Sequence, residues 1–140
     1  MKIFIDTAPF IYLAEEHPIY AERTKKFIAT AFADQDSLLT SVITLMEFSV
    51  KPERDHKTEP IAKLRTIWNR LNIQLLNIDE QIAQQAATLR AKYPALKGLD
   101  ALQISAALVH DCQQFLTNDI PLQKIEEIEV VLIEQLWPQP

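Results

Sequence analysis

Apolar residues along this 140-residue chain fall into two patterns that alternate from one end to the other. Short runs rich in Ile, Leu, Val and Phe predict strands at Lys2 to Asp6, Ser37 to Ser41, Ile73 to Ile78, Gln114 to Thr117 and Ile128 to Ile133. Between them the apolar residues recur at spacings of three and four. Tyr20, Thr24, Phe27, Ile28 and Ala31 make one stripe of a helix predicted over Ile19 to Ala33. Ile61, Leu64, Ile67, Trp68 and Leu71 do the same over Thr58 to Leu71. Further helices are expected at Ala8 to Glu16 with Pro9 in its first turn, at Val42 to Val50, at Asp79 to Tyr93 behind an Asp79 N-cap, and at Leu99 to Cys112. Pro52 and the charged stretch KPERDHKTEP mark a helix break or loop, and the WPQP tail should be irregular. Strands separated by helices call for a parallel sheet covered on both faces: a three-layer α/β/α fold with four to five strands.

Composition narrows what such a fold can do. With 140 residues and 48% hydrophobic content, one domain spanning residues 1–140 is expected. No uninterrupted apolar run approaches a membrane span, and the run after Lys2 is far short of a signal-peptide core, so a cytoplasmic protein with no membrane partner is expected. Cys112 is the only cysteine, which excludes an intramolecular disulfide and a cysteine-based zinc site and leaves it to act as a small buried hydrophobe. Gly98 is the only glycine, so no GxGxxG fingerprint, phosphate-binding P-loop or GxSxG elbow can be written. Positive φ angles must then fall to Asn and Asp, and Asn72, Asn77 and Asn118 stand where turns are wanted.

The net charge of −5 is unevenly spread. Residues 1–50 hold four basic and seven acidic side chains, residues 51–99 nine and five, and residues 100–140 one and seven. Within the basic middle third, Lys51, Arg54, Lys57, Lys63, Arg65 and Arg70 are candidates for a phosphate-tracking surface if they share a face; the alternative is ordinary solvated helix surface.

Four carboxylates stand out by position. Asp6 ends the first strand, Glu47 lies in the helix after the second, Asp100 opens the helix GLDALQISAALVH, and Asp119 follows the fourth strand in FLTNDIP. Each also has a plain structural reading: Asp6 as an N-cap, Asp100 as a macrodipole partner, Asp119 as a turn residue, and Glu47 on a solvated stripe with Thr44 and Lys51. In a parallel sheet, however, Asp6 and Asp119 emerge at the same edge, and a cluster of like charges there raises its own pKa values unless cations compensate. Hard oxygen donors of this kind suit Mg²⁺ or Mn²⁺, one ion or two, with phosphate oxygens as further ligands. Thr7, Thr117 and Asn118 adjoin two of the acids and suit the orienting of ligands, waters or a phosphate.

The segments IFIDTAPFIYL, TSVITLMEF, GLDALQISAAL and FLTND, in this order and across nearly the whole chain, resemble the PIN-domain family, in particular VapC-like toxins of prokaryotic toxin–antitoxin pairs. The resemblance implies a metal-dependent endoribonuclease whose acidic quartet maps onto Asp6, Glu47, Asp100 and Asp119, with Asp6, Asp100 and Asp119 as metal ligands. It also implies a homodimer and a small antitoxin that covers or enters the site. Ala8 departs from the Asn, Asp or Ser that many relatives carry two residues after the first acid. A catalytically inactive PIN scaffold acting in binding is the main rival reading. A receiver-like signalling domain is less well matched, since Thr7 stands where a second acid is wanted and no lysine lies in or after Ile128 to Ile133. An RNase H-like nuclease would begin with antiparallel hairpins, not strands parted by helices.

Overall fold

The computed structural model describes residues 1–138. In chain order the elements are β1 (Lys2–Ile5), α1 (Thr7–Ala14), α2 (Tyr20–Ala33), β2 (Ser37–Ser41), α3 (Val42–Arg54), α4 (Glu59–Arg70), β3 (Gln74–Leu76), α5 (Glu80–Lys92), α6 (Gly98–Val109), β4 (Gln114–Thr117) and β5 (Glu129–Leu132). Two 3₁₀ turns, Ile120–Lys124 and Ile133–Gln135, follow β4 and β5. All five strands are parallel, in the order β3-β2-β1-β4-β5. The predicted three-layer α/β/α fold is therefore observed, and no helix among the described residues is long and apolar enough to cross a membrane.

Alternation along the strands builds two cores. Ile3, Ile5, Leu38 and Leu116 face Phe10 of α1, Ile28 of α2, Phe48 of α3, and Leu64 and Trp68 of α4. Phe4, Leu39 and Phe115 face Ile82 and Leu89 of α5 and Ile104 of α6. Phe4 and Phe115 are paired in register and their rings stack, with centroids 5.2 Å apart. Such period-two burial on both faces requires strands apolar at nearly every position, as β1 and β4 are.

The chain grows outward from β1 in both directions, first to β2 and β3, then across to β4 and β5. Where strand order reverses, loops diverge and leave a crevice at the carboxyl ends of the strands. Here that crevice lies above β1 and β4, bridged by one further ladder bond from the Asp6 N–H to the Leu116 carbonyl at 2.9 Å.

Three expectations need correction. Helix α3 does not stop at Val50: it runs through Pro52 to Arg54, with Pro52 buried. A proline so near a helix end removes one backbone donor, and only one short turn follows it. Second, positive φ falls to Asn72 and to an aspartate, Asp111, as expected, but also to Glu16, Gln35, His56 and Trp137, and not to Asn77 or Asn118. The reason is helix termination. Glu16, Gln35, His56, Asn72 and Asp111 each sit just past a helix end, and the next residue's N–H reaches back five positions: His17 to Tyr12, Asp36 to Ala31, Lys57 to Pro52, Ile73 to Trp68 and Cys112 to Ala107, all at 2.8–3.0 Å. These are Schellman ends, closed without glycine. Third, Thr44 is fully buried, so it cannot share a solvated stripe with Glu47 and Lys51. Cys112 is buried as expected. In the tail, Trp137 and Pro138 belong to no helix or strand, and the last two residues lie outside the described residues.

Candidate active site

Strand β1 is followed directly by Asp6, whose backbone is extended and whose Oδ1 accepts from the Thr7 N–H at 2.8 Å, capping α1. The same side chain is buried and held from two more directions. Thr117, the last residue of β4, donates its hydroxyl to Asp6 Oδ2 at 2.8 Å, and Gln103 Nε2 approaches Asp6 Oδ1 at 3.3 Å. An ionised carboxylate offers about four acceptor sites, so one remains. Asp6, Thr7, Glu47, Asp100, Thr117, Asn118 and Asp119 all line one open cleft of about 420 Å³, together with Ala8, Ile11 and Tyr12. The seven sequence candidates around the acids are thus brought together.

Beneath the cleft lies a polar network with a fixed hydrogen-bond sense. Ser41 accepts from the Ile43 N–H at 3.1 Å as the cap of α3 and donates its hydroxyl to Gln103 Oε1. That sets the Gln103 amide, because only Nε2 is then left to face Asp6 and the Thr44 hydroxyl, the latter at 2.7 Å. Thr40 gives its proton to the Ile5 carbonyl at 2.8 Å, so across the 2.9 Å between the Thr40 and Thr44 hydroxyls it is Thr44 that donates. Every member is buried and partnered, the condition under which such networks hold one geometry. Above it, Thr7 donates its hydroxyl to Glu47 Oε1 at 2.7 Å. Asn118 commits its amide to both sides: Nδ2 donates to the Tyr12 hydroxyl at 3.1 Å and Oδ1 accepts from the Glu134 N–H at 2.9 Å.

Gln103, Ser41, Thr40 and Thr44 were not singled out by sequence as site residues. A signal existed for Gln103: it interrupts the otherwise apolar run of α6 over Ala101 to Val109, shared only with Ser105, and a buried amide must find partners.

The electrostatics are those of crowded acids. Burial pushes the Asp6 carboxyl up to about 6; the Thr7 N–H and Thr117 hydroxyl oppose this, and the charges of Asp100 and Glu47 add to it. Asp100 is also raised, by burial first and then by Asp119 and Glu47, with Lys97 acting the other way. None of the four acids has an ion-pair partner among the described residues. Asp100 does stand in the first turn of α6, where the helix dipole favours it. Asp119 precedes a 3₁₀ turn but makes no side-chain cap bond there. The donor set is hard oxygen, short of cations, and fits a divalent metal. Among the described residues, no three His, Cys, Asp or Glu side chains are gathered closely enough to hold a metal ion as they stand.

The basic candidates divide. Lys51 and Lys57 line a largely apolar groove that shares Ile11 and Glu47 with the cleft, and Lys63 lines its continuation toward α4. Arg54, Arg65 and Arg70 are exposed but line neither groove. Lys51 is paired with Glu15 at 3.1 Å.

A doubly wound parallel sheet with carboxylates gathered at its switch point is the class that fold and site define. The PIN-domain family model matches residues 3–128, and the chain belongs to that family. No curated protein sequence matches it. Among solved structures, it is similar to VapBC2 from Rickettsia felis bound to a promoter DNA fragment, at 17% identity and a TM-score of 0.79 over 94% of this chain and 98% of that one. VapBC-1 from nontypeable Haemophilus influenzae is similar at 22% identity and 0.70, over 96% and 100%. The sarcin–ricin loop cleaving toxin VapC20 of Mycobacterium tuberculosis is similar at 15% and 0.65, over 90% and 98%.

Proposed function

We propose that this chain is a metal-dependent endoribonuclease and the toxin of a toxin–antitoxin pair. The observation that carries the reading is the buried, triply held Asp6 opening onto a cleft shared with Glu47, Asp100 and Asp119 and free of neutralising ion pairs. Asp6, Asp100 and Asp119 would hold one or two Mg²⁺ or Mn²⁺ ions, and Glu47 would ligate or position water. A bound ion supplies an activated water and stabilises charge on the phosphate. The protein's own part is orientation: Thr117, the Thr7 N–H and Gln103 fix the Asp6 carboxylate, and the Thr7 hydroxyl fixes Glu47. In-line attack of water would leave 5′-phosphate and 3′-hydroxyl ends. Family membership supports the nuclease chemistry, and the similarity to VapBC proteins supports a small antitoxin as partner; the homodimer and the cytoplasmic setting rest on the sequence alone.

Total RNA incubated with purified protein and Mg²⁺, Mn²⁺ or EDTA tests the reading, alongside Asp6→Asn. Metal-dependent cuts absent from the variant are expected. Cuts that persist in the variant or in EDTA, or products ending in 2′,3′-cyclic phosphate, would overturn it in favour of an inactive binding scaffold or a metal-free mechanism.

A further inference from the structure

Asp100 and Asp119 line a second cavity, of about 270 Å³, next to the acidic cleft they share with Asp6. Its other walls include Lys97, Pro121, Leu122 and Lys124. Lys124 is the only cation in residues 100–140, a stretch with seven acids, yet it ends the 3₁₀ turn that leaves β4 and so stands beside two of the four site acids. Lys97 directly precedes Gly98, the first residue of α6, and its charge already acts on Asp100. Both side chains belong to exposed residues, and neither has an ion-pair partner among the described residues, whereas Lys51 on the opposite flank is tied to Glu15.

Two lysines beside a pair of carboxylates that bind a divalent cation work against that cation, because like charges repel. Their presence is offset if an anion spans metal and lysines together. A nucleic-acid backbone has the required form, with a phosphate at every nucleotide along a flexible strand. We propose that Lys97 and Lys124 form a subsite for an RNA phosphate next to the scissile one, so that the strand crosses the acidic cleft and leaves past Asp100 and Asp119. The inference rests on the ribonuclease reading above and places a backbone contact outside the six basic candidates of the middle third, Arg65 and Arg70 among them.

The test is binding of a fluorescent single-stranded RNA of roughly twelve nucleotides, in Ca²⁺, with a gel confirming that the RNA stays intact. The parent is compared over a salt series with the Lys97→Gln/Lys124→Gln double variant and with Arg65→Gln/Arg70→Gln. Each phosphate contact on a single strand contributes about 0.7 to the slope of log affinity against log salt, so losing the one phosphate held by the lysine pair should lower the slope by about 0.7, and the arginine pair should lower it by less. Calorimetry with Mn²⁺ gives the second readout. The lysine variant should bind Mn²⁺ as tightly as the parent or more tightly, a change opposite in sign to its RNA loss and not one that general damage produces. An unchanged slope, RNA and Mn²⁺ affinity falling together, or no RNA binding by the parent would each overturn the subsite. Cleavage in Mn²⁺ separates the two readings. A parent that binds through the lysines but never cuts overturns the ribonuclease and leaves the subsite standing; a parent that cuts, with a double variant that binds and cuts equally well, overturns the subsite alone.

Discussion

Replacing Asp6 by Asn should stabilise the metal-free protein at neutral pH, an unusual outcome for a buried residue with three hydrogen bonds. The unfolded carboxyl titrates near 3.8 and the folded one near 6. The folded state therefore holds a proton that the unfolded state has released between those values. A raised folded value means the contribution is fully present below pH 3.8 and is lost as pH rises through 6. At ~1.4 kcal/mol per unit, the change is about 3 kcal/mol by pH 7.5, or roughly 10 °C in melting temperature for a chain of this size. Asn carries no charge to desolvate. Its oxygen still accepts from the Thr7 N–H, and the Thr117 hydroxyl need only turn to accept from the new amide.

The assay is thermal or urea unfolding of both proteins with a chelator, from pH 4.5 to 8. Glu127, lowered in the opposite sense, adds a slope that appears in both proteins and cancels in the difference, whereas Asp100, raised in the same sense, is coupled to the Asp6 charge and is relieved in the variant, which adds to the difference. The difference should be small at pH 4.5 and grow to favour the variant above pH 6. Saturating Mn²⁺ should reverse the order by stabilising only the parent, since a ligand of the native state adds stability by mass action. A difference that is flat with pH, or a variant less stable than the parent at pH 7.5 in chelator, would refute the argument: Asp6 would then be stabilised mainly by its cap and hydroxyl bonds.

Two further outcomes follow from the same geometry. Gln103→Leu leaves the Ser41 hydroxyl proton without its acceptor, while Thr44 keeps its bond to Thr40; one buried group left unmatched costs about 1–3 kcal/mol, and freeing the Asp6 carboxylate should weaken Mn²⁺ binding roughly 10- to 100-fold; unchanged Mn²⁺ affinity by calorimetry would reduce Gln103 to a packing residue. Gln35→Gly and His56→Gly should each raise stability by about 0.5–1 kcal/mol, because both hold left-handed backbone that costs an L-residue ~1–2 kcal/mol, partly offset by the greater freedom of unfolded glycine; melting points below the parent's would show that their side chains matter more than their φ angles.

What the sequence made legible was whatever depends on neighbours along the chain. The strands announced themselves by dense Ile, Leu, Val and Phe, and the acids by where those strands stop. Helix ends were less legible. Five Schellman closures depend on how the next segment departs, so Glu16 and Gln35 took left-handed backbone that no local preference assigns to them. The same distinction separates Asp6 from Gln103. Asp6 sits at the joint of strand and helix, a position written in IFIDTAP, while the partners of Gln103 lie 59 to 97 residues away in sequence and meet it only when α6 packs across β1 and β2.

Whether Asp6 caps a helix or serves a site is then a false choice. Capping uses one oxygen of the carboxylate, and that bond, with those from Thr117 and Gln103, fixes the plane of the group in advance. The donors favour the ionised form, yet burial and the two neighbouring acids outweigh them, so the folded chain holds the carboxylate in place at an energetic cost. A divalent cation held in the cleft would offset that cost by pairing the charge. The order that α1 needs to begin is the same order a metal ligand needs.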